Sequence, residues 1–230
     1  MKEKKVIYSE LAYIFALTFI ALSVAMAAAA DFGVSMIAAP TYILSLKYPF
    51  LSFGQWEYVV QGLLFILMCF LLKGFRPIYL VSFFSGLVYG SLLDMWRWLI
   101  PLLNPAVTAP GAMDMWLRLV LFGVGELICG IGVALCFKTY ICPQVYDFFV
   151  KAVAEKRGYN RTKLKRIFDA SFLAVAVVLA LLLFHGFEGM GMGTIILTLV
   201  NGPVIGFFDK CFDRHFEFRP AFIGLSKHFE

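Results

Sequence analysis

Charge is scarce in this chain. Asp, Glu, Lys and Arg together make up 15% of its 230 residues, against about a quarter in ordinary soluble domains, and no gap between its apolar runs is long enough for a soluble domain. Histidine is scarcer still: His185, His215 and His228 do not cluster, and His185 with Glu188 reads as an interface pair rather than an acid-base couple. The five cysteines, Cys69, Cys129, Cys136, Cys142 and Cys211, show no paired ligand spacing and fall mostly in apolar segments, where free thiols pack as small apolar groups. No phosphate-binding loop and no G-x-S-x-G elbow occur, and "GMGMG" at 189–193 lacks the strand that a nucleotide fingerprint needs. These absences argue against an enzyme, and no cofactor or metal site is expected.

What is abundant is hydrocarbon. Apolar residues account for 61% of the chain and aromatics for 17%, with a mean hydropathy of +0.84, the composition of an integral membrane protein. Six runs, approximately 11–30, 53–72, 77–96, 116–137, 167–184 and 190–208, are long enough at about 1.5 Å per residue to cross a hydrocarbon core about 30 Å thick. The first follows "MKEKK" and ends in "SVAMAAAAD", which imitates a signal peptide, but its apolar run of about 20 residues exceeds the usual 7 to 15. It is read as a retained span.

Basic residues fall on one side of these spans. Lys2, Lys4 and Lys5, then Lys73 and Arg76, then the run from Lys138 to Arg166, then Lys210, Arg214, Arg219 and Lys227 occupy the ends expected to face the cytoplasm, whereas Lys47, Arg97 and Arg118 fall on the other. Six helices with both termini cytoplasmic, in the cytoplasmic membrane of a bacterium, follow. The net charge of +5 is then explained by juxtamembrane cations facing anionic membrane lipid, without nucleic acid as a partner.

An echo organises the six spans. "GLVYGSLLD" (86–94) returns as "GPVIGFFD" (202–209), "GQWEYVVQG" (54–62) lies over "TKLKRIFDA" (162–170), and "ALSVAMAAAAD" from Ala21 over "GIGVALCFKTY" from Gly130. These registers pair Gln61 with Asp169, Gly86 with Gly202 and Gly90 with Gly206. Three spans precede the midpoint and three follow, so the second triplet enters from the opposite side. The expectation is an all-α, polytopic single membrane domain over 1–230, built as two inverted three-helix repeats (about 8–104 and 113–212) around a cytoplasmic loop at about 138–166.

The motifs "ADFGVS" (30–35), "PTYILSL" (40–46), "LSFG" (51–54), "YGSLLD" (89–94), "GIGVAL" (130–135), "KRIFDAS" (165–171) and "GTIILTLVNGPVIGFF" (193–208), in this order and spacing, resemble the YczE/YitT-like bacterial membrane proteins, in the branch filed as domain of unknown function 6198. The resemblance spans nearly the whole chain and implies a polytopic, transporter-like fold without an assigned substrate. Two charged family positions are absent: "PQV" (143–145) stands where relatives tend to have Pro-Gly-Glu, and Gly191 and Met192 where they often have Arg-Glu. A neutral or weakly charged solute is favoured on that ground.

Polar side chains at membrane depth are the candidate substrate-binding residues, because a central carboxylate costs about 3 kcal/mol on insertion scales and persists where it faces the bundle interior. Glu126 lies near the middle of the fourth span, Gln61 of the second and Asn201 of the sixth, with Asp169 about one turn into the fifth. Gln61 and Asn201 also suit plain interhelical hydrogen bonding, and Asp169 a plain interfacial pair with Lys165. A break at Asp31–Ser35 before Pro40 adds Asp31, Ser35 and Thr41, since broken backbone at that depth is tolerated where it is buried or lines a cavity. Asp94 and Asp209 are expected to end their helices against the macrodipole and to form gating or structural ion pairs with Arg97 and Lys210. The stretch 143–158 looks like an amphipathic interfacial helix.

Two function classes follow. One is a secondary transporter of a small-molecule solute that rocks one repeat against the other. The other is a nontransporting accessory or scaffold protein, a possible homodimer or partner of another membrane subunit. A substrate-capturing subunit docking through an Ala21, Ala25, Ala29 stripe is a variant of the first, although a small-residue stripe more often serves internal helix packing.

Overall fold

The computed structural model describes residues 5–141 and 144–222; Lys2, Lys4, Cys142, Pro143, Lys227 and His228 lie outside the described residues. A short strand β1 (Lys5–Tyr8) leads into α1 (Ser9–Ala30), followed by α2 (Ala39–Lys47), α3 (Phe53–Leu71) and α4 (Pro77–Leu99). After a single 3₁₀ turn at Pro101–Leu103 come α5 (Met115–Phe137), α6 (Val145–Arg157), α7 (Arg161–Phe184), α8 (Met192–His215) and a second strand β2 (Phe216–Arg219). Six of these helices, α1, α3, α4, α5, α7 and α8, are long and apolar enough to cross a membrane.

Local chemistry sets the boundaries. Ser52 and Gln55 close a reciprocal capping box at the start of α3, satisfying two backbone donors that the first turn leaves unpaired. Pro77 opens α4 at a position where its missing N–H costs nothing. Asn160 accepts from the Lys163 N–H at 3.0 Å to start α7, a cap worth about 1 kcal/mol. α1 stops where Asp31 turns left-handed at φ 56°, a conformation Asp tolerates better than most residues. Arg118 then holds the freed carbonyls, its Nε donating to Ala30 O at 2.7 Å and its guanidinium to Asp31 O at 2.9 Å.

The core is a pair of antiparallel helices. α1 and α5 lie side by side along their whole length, Ser9 reaching the Lys138 carbonyl at one end and Arg118 the Ala30 carbonyl at the other. Small residues permit this: a Cβ on Gly125 would meet Met26 Cβ at 3.3 Å, and one on Gly132 would meet the Ala16 carbonyl at 3.0 Å. In lipid, where apolar burial offers little drive, such close packing holds helices together. Ala21, Ala25 and Ala29 are buried inside the bundle, so this stripe serves internal helix packing rather than docking.

Around this pair, α4 packs on α1 and α8 on α5, while α3 packs on α4. The short α2 contacts α3 and α7, and α6 contacts α7 and α3. Among the described residues no comparable contact joins α7 to α8. The consequence is uneven burial: 56% of the apolar window of α1 is buried, against 17% for α7 and 6% for α8. α6 buries Tyr146, Phe148, Phe149 and Val150 against its neighbours, so it is docked into the bundle end rather than lying free at an interface.

Several boundaries differ from expectation. The loop placed at 138–166 contains all of α6 and the first turns of α7, and α8 runs seven residues past 208 to His215. Asp169 therefore sits more than two turns into α7 rather than one. Asp94 and Asp209 lie inside α4 and α8, not at their ends. β1 and β2 pair in parallel, Lys5 opposite Phe216 through Tyr8 opposite Arg219, a two-stranded ladder unforeseen in an all-α reading.

Candidate functional site

A cavity of about 380 Å³ lies beside the central pair, lined from α1, the 35–38 turn, α3, α5, the start of α6, α7 and α8. Its volume falls in the range of small-molecule sites. Its apolar lining includes Ile20, Val24, Ala27, Phe122, Leu197 and Ile205, with Glu126 one turn from Phe122 on α5 and Asn201 one turn from Leu197 and Ile205 on α8.

Of the residues singled out in the sequence, Glu126, Asp169, Asn201 and Ser35 line this cavity. Glu126 is 8% exposed, and its Oε1 is buried without a hydrogen-bond partner, as is Asn201 Oδ1. The two helices that carry them meet at Cys129, whose thiol lies beside Ser23 and Asn201 with the Glu126 carboxyl nearby. Asp169 pairs with Lys165 one turn earlier at 3.0 Å, and Lys165 also reaches Asp147 on α6 at 2.8 Å.

Gln61 is fully buried behind the cavity rather than in its lining, where its Nε2 donates to Glu57 at 3.2 Å and to Gln144 at 3.3 Å. Asp31 is remote from the cavity: its carboxylate meets Arg118 at 3.5 Å, as part of the α1 terminus. Asp94 accepts from Ser52 Oγ and from the Gly54 N–H at 2.9 Å, so it ties α4 to the start of α3 instead of pairing with Arg97. The Arg97 guanidinium stacks over Phe53, 5.4 Å from the ring centre. Asp209 pairs with Lys138 at 2.7 Å, not with Lys210.

The residue that sequence reasoning missed is Glu57. It is completely buried, lines the cavity, and draws in three donors: Thr41 Oγ1 at 2.6 Å, Tyr146 OH at 2.9 Å and the Gln61 amide. Burial, with the Glu57 carboxyl beside it, holds the Tyr146 phenol well above its ordinary pKa, so Tyr146 is a donor throughout the physiological range. Thr41 faces two acceptors, Glu57 Oε1 and the Ala38 carbonyl at 2.8 Å, with a single hydroxyl hydrogen. A neutral Glu57 donating to Thr41 leaves Thr41 free to donate to the Ala38 carbonyl and Tyr146 to donate to Glu57, while Gln61 Oε1 has no hydrogen-bond partner. The signal available in the sequence was spacing: Glu57 stands one turn before Gln61, as Lys165 stands one turn before Asp169.

Among the described residues no group of His, Cys, Asp and Glu could hold a metal ion. The arrangement can bind a solute through hydrogen bonds and charge.

Comparison with known proteins gives a family and is silent on chemistry. No solved structure matches. The chain is 22% identical to the uncharacterized protein YyaS of Bacillus subtilis (strain 168) over 201 residues, covering 86% of this chain and 90% of the relative. The profile of a family of unknown function, DUF6198, matches residues 7–210, and with its six apolar helices the chain belongs to that family.

Proposed function

We propose that this protein is a small-solute secondary transporter of the bacterial cytoplasmic membrane, in which two inverted three-helix halves alternate around the cavity. The order long, short, long, long occurs twice, as α1 to α4 and α5 to α8. Helix contacts repeat as well: α1 with α4 corresponds to α5 with α8, α2 with α3 to α6 with α7, and α2 with α7 to α6 with α3. The polar chemistry follows the same exchange. Thr41 on α2 bonds Glu57, which accepts from Gln61 one turn on; Asp147 on α6 pairs with Lys165, which pairs with Asp169 one turn on.

The observation that carries the reading is the largest break in this correspondence, α3 with α4 against α7 with α8. α3 closes on the glycine face of α4, where a Cβ on Gly90 would meet Gly54 O at 2.7 Å and one on Gly86 would press on Gln61. The corresponding Gly202 and Gly206 of α8 have nothing within 4 Å. One half is shut and the other stands open, as alternating access requires of any single state.

The test is a disulfide across the open pair. Phe65 and Phe83 touch across α3 and α4, with ring centres 5.6 Å apart; their counterparts in the echo are Leu173 and Leu199. In a cysteine-free background, Leu173→Cys with Leu199→Cys is expected to crosslink under oxidation. Locking that pair shut should make a third cysteine at Ser82, fully buried in α4, newly reactive to a water-soluble thiol reagent. A crosslink that leaves Ser82→Cys as unreactive as before overturns alternating access.

A further inference from the structure

We propose that the cavity takes a small organic ammonium ion, a protonated amine with an alkyl or aryl tail; this rests on the reading of the cavity as the solute site. The charges that face it are unbalanced. Besides the neutral Glu57, the carboxyls of Glu126, Asp147 and Asp169 line it together with one cation among the described residues, Lys165, and that cation is divided between Asp147 and Asp169. Glu57 has its oxygens occupied by Thr41, Tyr146 and Gln61. Glu126 has no such company. Its Oε1 and the Asn201 Oδ1 are buried acceptors without donors, brought from α5 and α8 to the neighbourhood of Cys129.

Two orphan acceptors, one of them a carboxyl, call for a ligand that supplies donors and positive charge together. A metal ion does not fit, since the described residues offer no ligand cluster and a cavity of about 380 Å³ is far larger than an ion requires. An anion meets net negative charge, its only possible counter-ion already engaged. A primary ammonium group presents three N–H donors, enough for both oxygens, while its tail lies against Ile20, Val24, Phe122, Leu197 and Ile205. The neutral solute favoured by Gly191 and Met192 is set aside, because those positions are not part of the cavity: Gly191 packs against the Phe32 carbonyl at the start of α8.

Three probes with one tail and different heads test this: phenethylammonium, phenethyl alcohol and hydrocinnamate, added to the purified full-length protein and followed by thermal shift and calorimetry. Phenethylammonium is expected to raise the melting temperature and release heat on binding, and the alcohol and the carboxylate are not. Glu126→Gln should weaken ammonium binding by about tenfold or more, as for a hydrogen-bonded buried charge that loses its partner. Asn201→Ala, on the exposed helix α8 and so tolerant of change, should weaken it less and provides the second reading if Glu126→Gln does not fold. Equal binding of the alcohol, preference for the carboxylate, or no response to phenethylammonium and its shorter alkyl homologues overturns the proposal. A protein that binds phenethylammonium but does not move it across a proteoliposome membrane keeps this inference and sinks the transporter reading; accumulation of hydrocinnamate does the reverse.

Discussion

Glu57 and Glu126 are both buried carboxyls on one cavity, yet the donors around them assign opposite roles. Glu126→Gln keeps size and most hydrogen-bonding capacity while removing ionisation, so the variant should fold and insert normally and lose solute uptake. Glu126→Leu should also fold, with a melting temperature equal to or above that of the parent, because replacing an unpartnered buried polar group by a well-packed apolar one is often neutral or stabilising. Uptake retained by Gln combined with misfolding of Leu makes Glu126 a structural residue and moves the site to Asp169 and Asn201. For Glu57 the expectation is reversed. Gln can accept from Tyr146 and donate to Thr41, so Glu57→Gln should stay within about 1 kcal/mol of the parent, whereas Glu57→Leu strands the Tyr146 hydroxyl and leaves Thr41 and Gln61 only their bonds to Ala38 and Gln144, at about 1–3 kcal/mol for a group left unsatisfied, read as a fall in thermal stability. Glu126 was legible in the sequence because it is isolated in mid-span. Glu57 was not, because an acidic residue five positions into a helix ordinarily complements the helix N-terminus, and its real partners come from other helices, Thr41 from the preceding α2 and Tyr146 from α6 far along the chain.

Helices carry the next level of specification, and here two equivalent glycine pairs have unequal surroundings. Gly90→Ala in α4 must displace Tyr58 or the Gly54 carbonyl, an overpacking cost of about 1–3 kcal/mol. Gly206→Ala in α8 enters open space and should leave the melting temperature unchanged or raised, since Ala exceeds Gly in helix propensity by up to about 1 kcal/mol. The same Gly206→Ala should slow uptake, because α7 then closes on a bulkier face; equal uptake rates for parent and variant would show that α7 never lands there. The glycine echo was visible in the sequence, but not which pair is packed, since that depends on how far α7 stands from α8. Helix ends were misplaced for a different reason. Hydropathy marks the lipid-facing length, and it stops at Lys165, Arg166, Asp209 and Lys210, whereas the backbone helix continues through them. Ion pairs sustain it there: Lys165 with Asp169 along α7, and Lys138 with Asp209 between α5 and α8.

At the scale of the whole molecule, the bonds between loops divide the chain into two ends without reference to charge counts. At one end β1 pairs with β2, Glu10 accepts from Tyr140 at 2.5 Å and from the Ala221 N–H at 2.9 Å, and Lys138 clasps Asp209 and Asp213, each at 2.7 Å. Burial works against the Lys138 charge, but the two carboxylates outweigh it and raise its pKa. A raised lysine pKa stabilises fully below the unfolded value of about 10.4 and is lost only as pH rises through the higher folded value, so this clasp is constant across physiological pH. At the other end Lys47 donates to the Leu183 carbonyl at 2.8 Å, Arg118 closes α1, and the Gly193 N–H bonds Phe32 O at 2.8 Å. Residues 5–10, 138–140 and 209–222 thus share one face of the bundle, and residues 30–33, 47, 118 and 183–193 share the opposite one. The first set is the Lys- and Arg-rich one, which the positive-inside rule puts in the cytoplasm. Single cysteines at Gly158, where a side chain meets nothing within 4 Å, and at Asn104, in the turn after α4, should therefore react with a membrane-impermeant maleimide from opposite sides. Asn104→Cys is expected to label in intact cells and Gly158→Cys only in inside-out vesicles. Labelling of both from one side would break the odd number of crossings between them, and with it the inversion of the second half relative to the first.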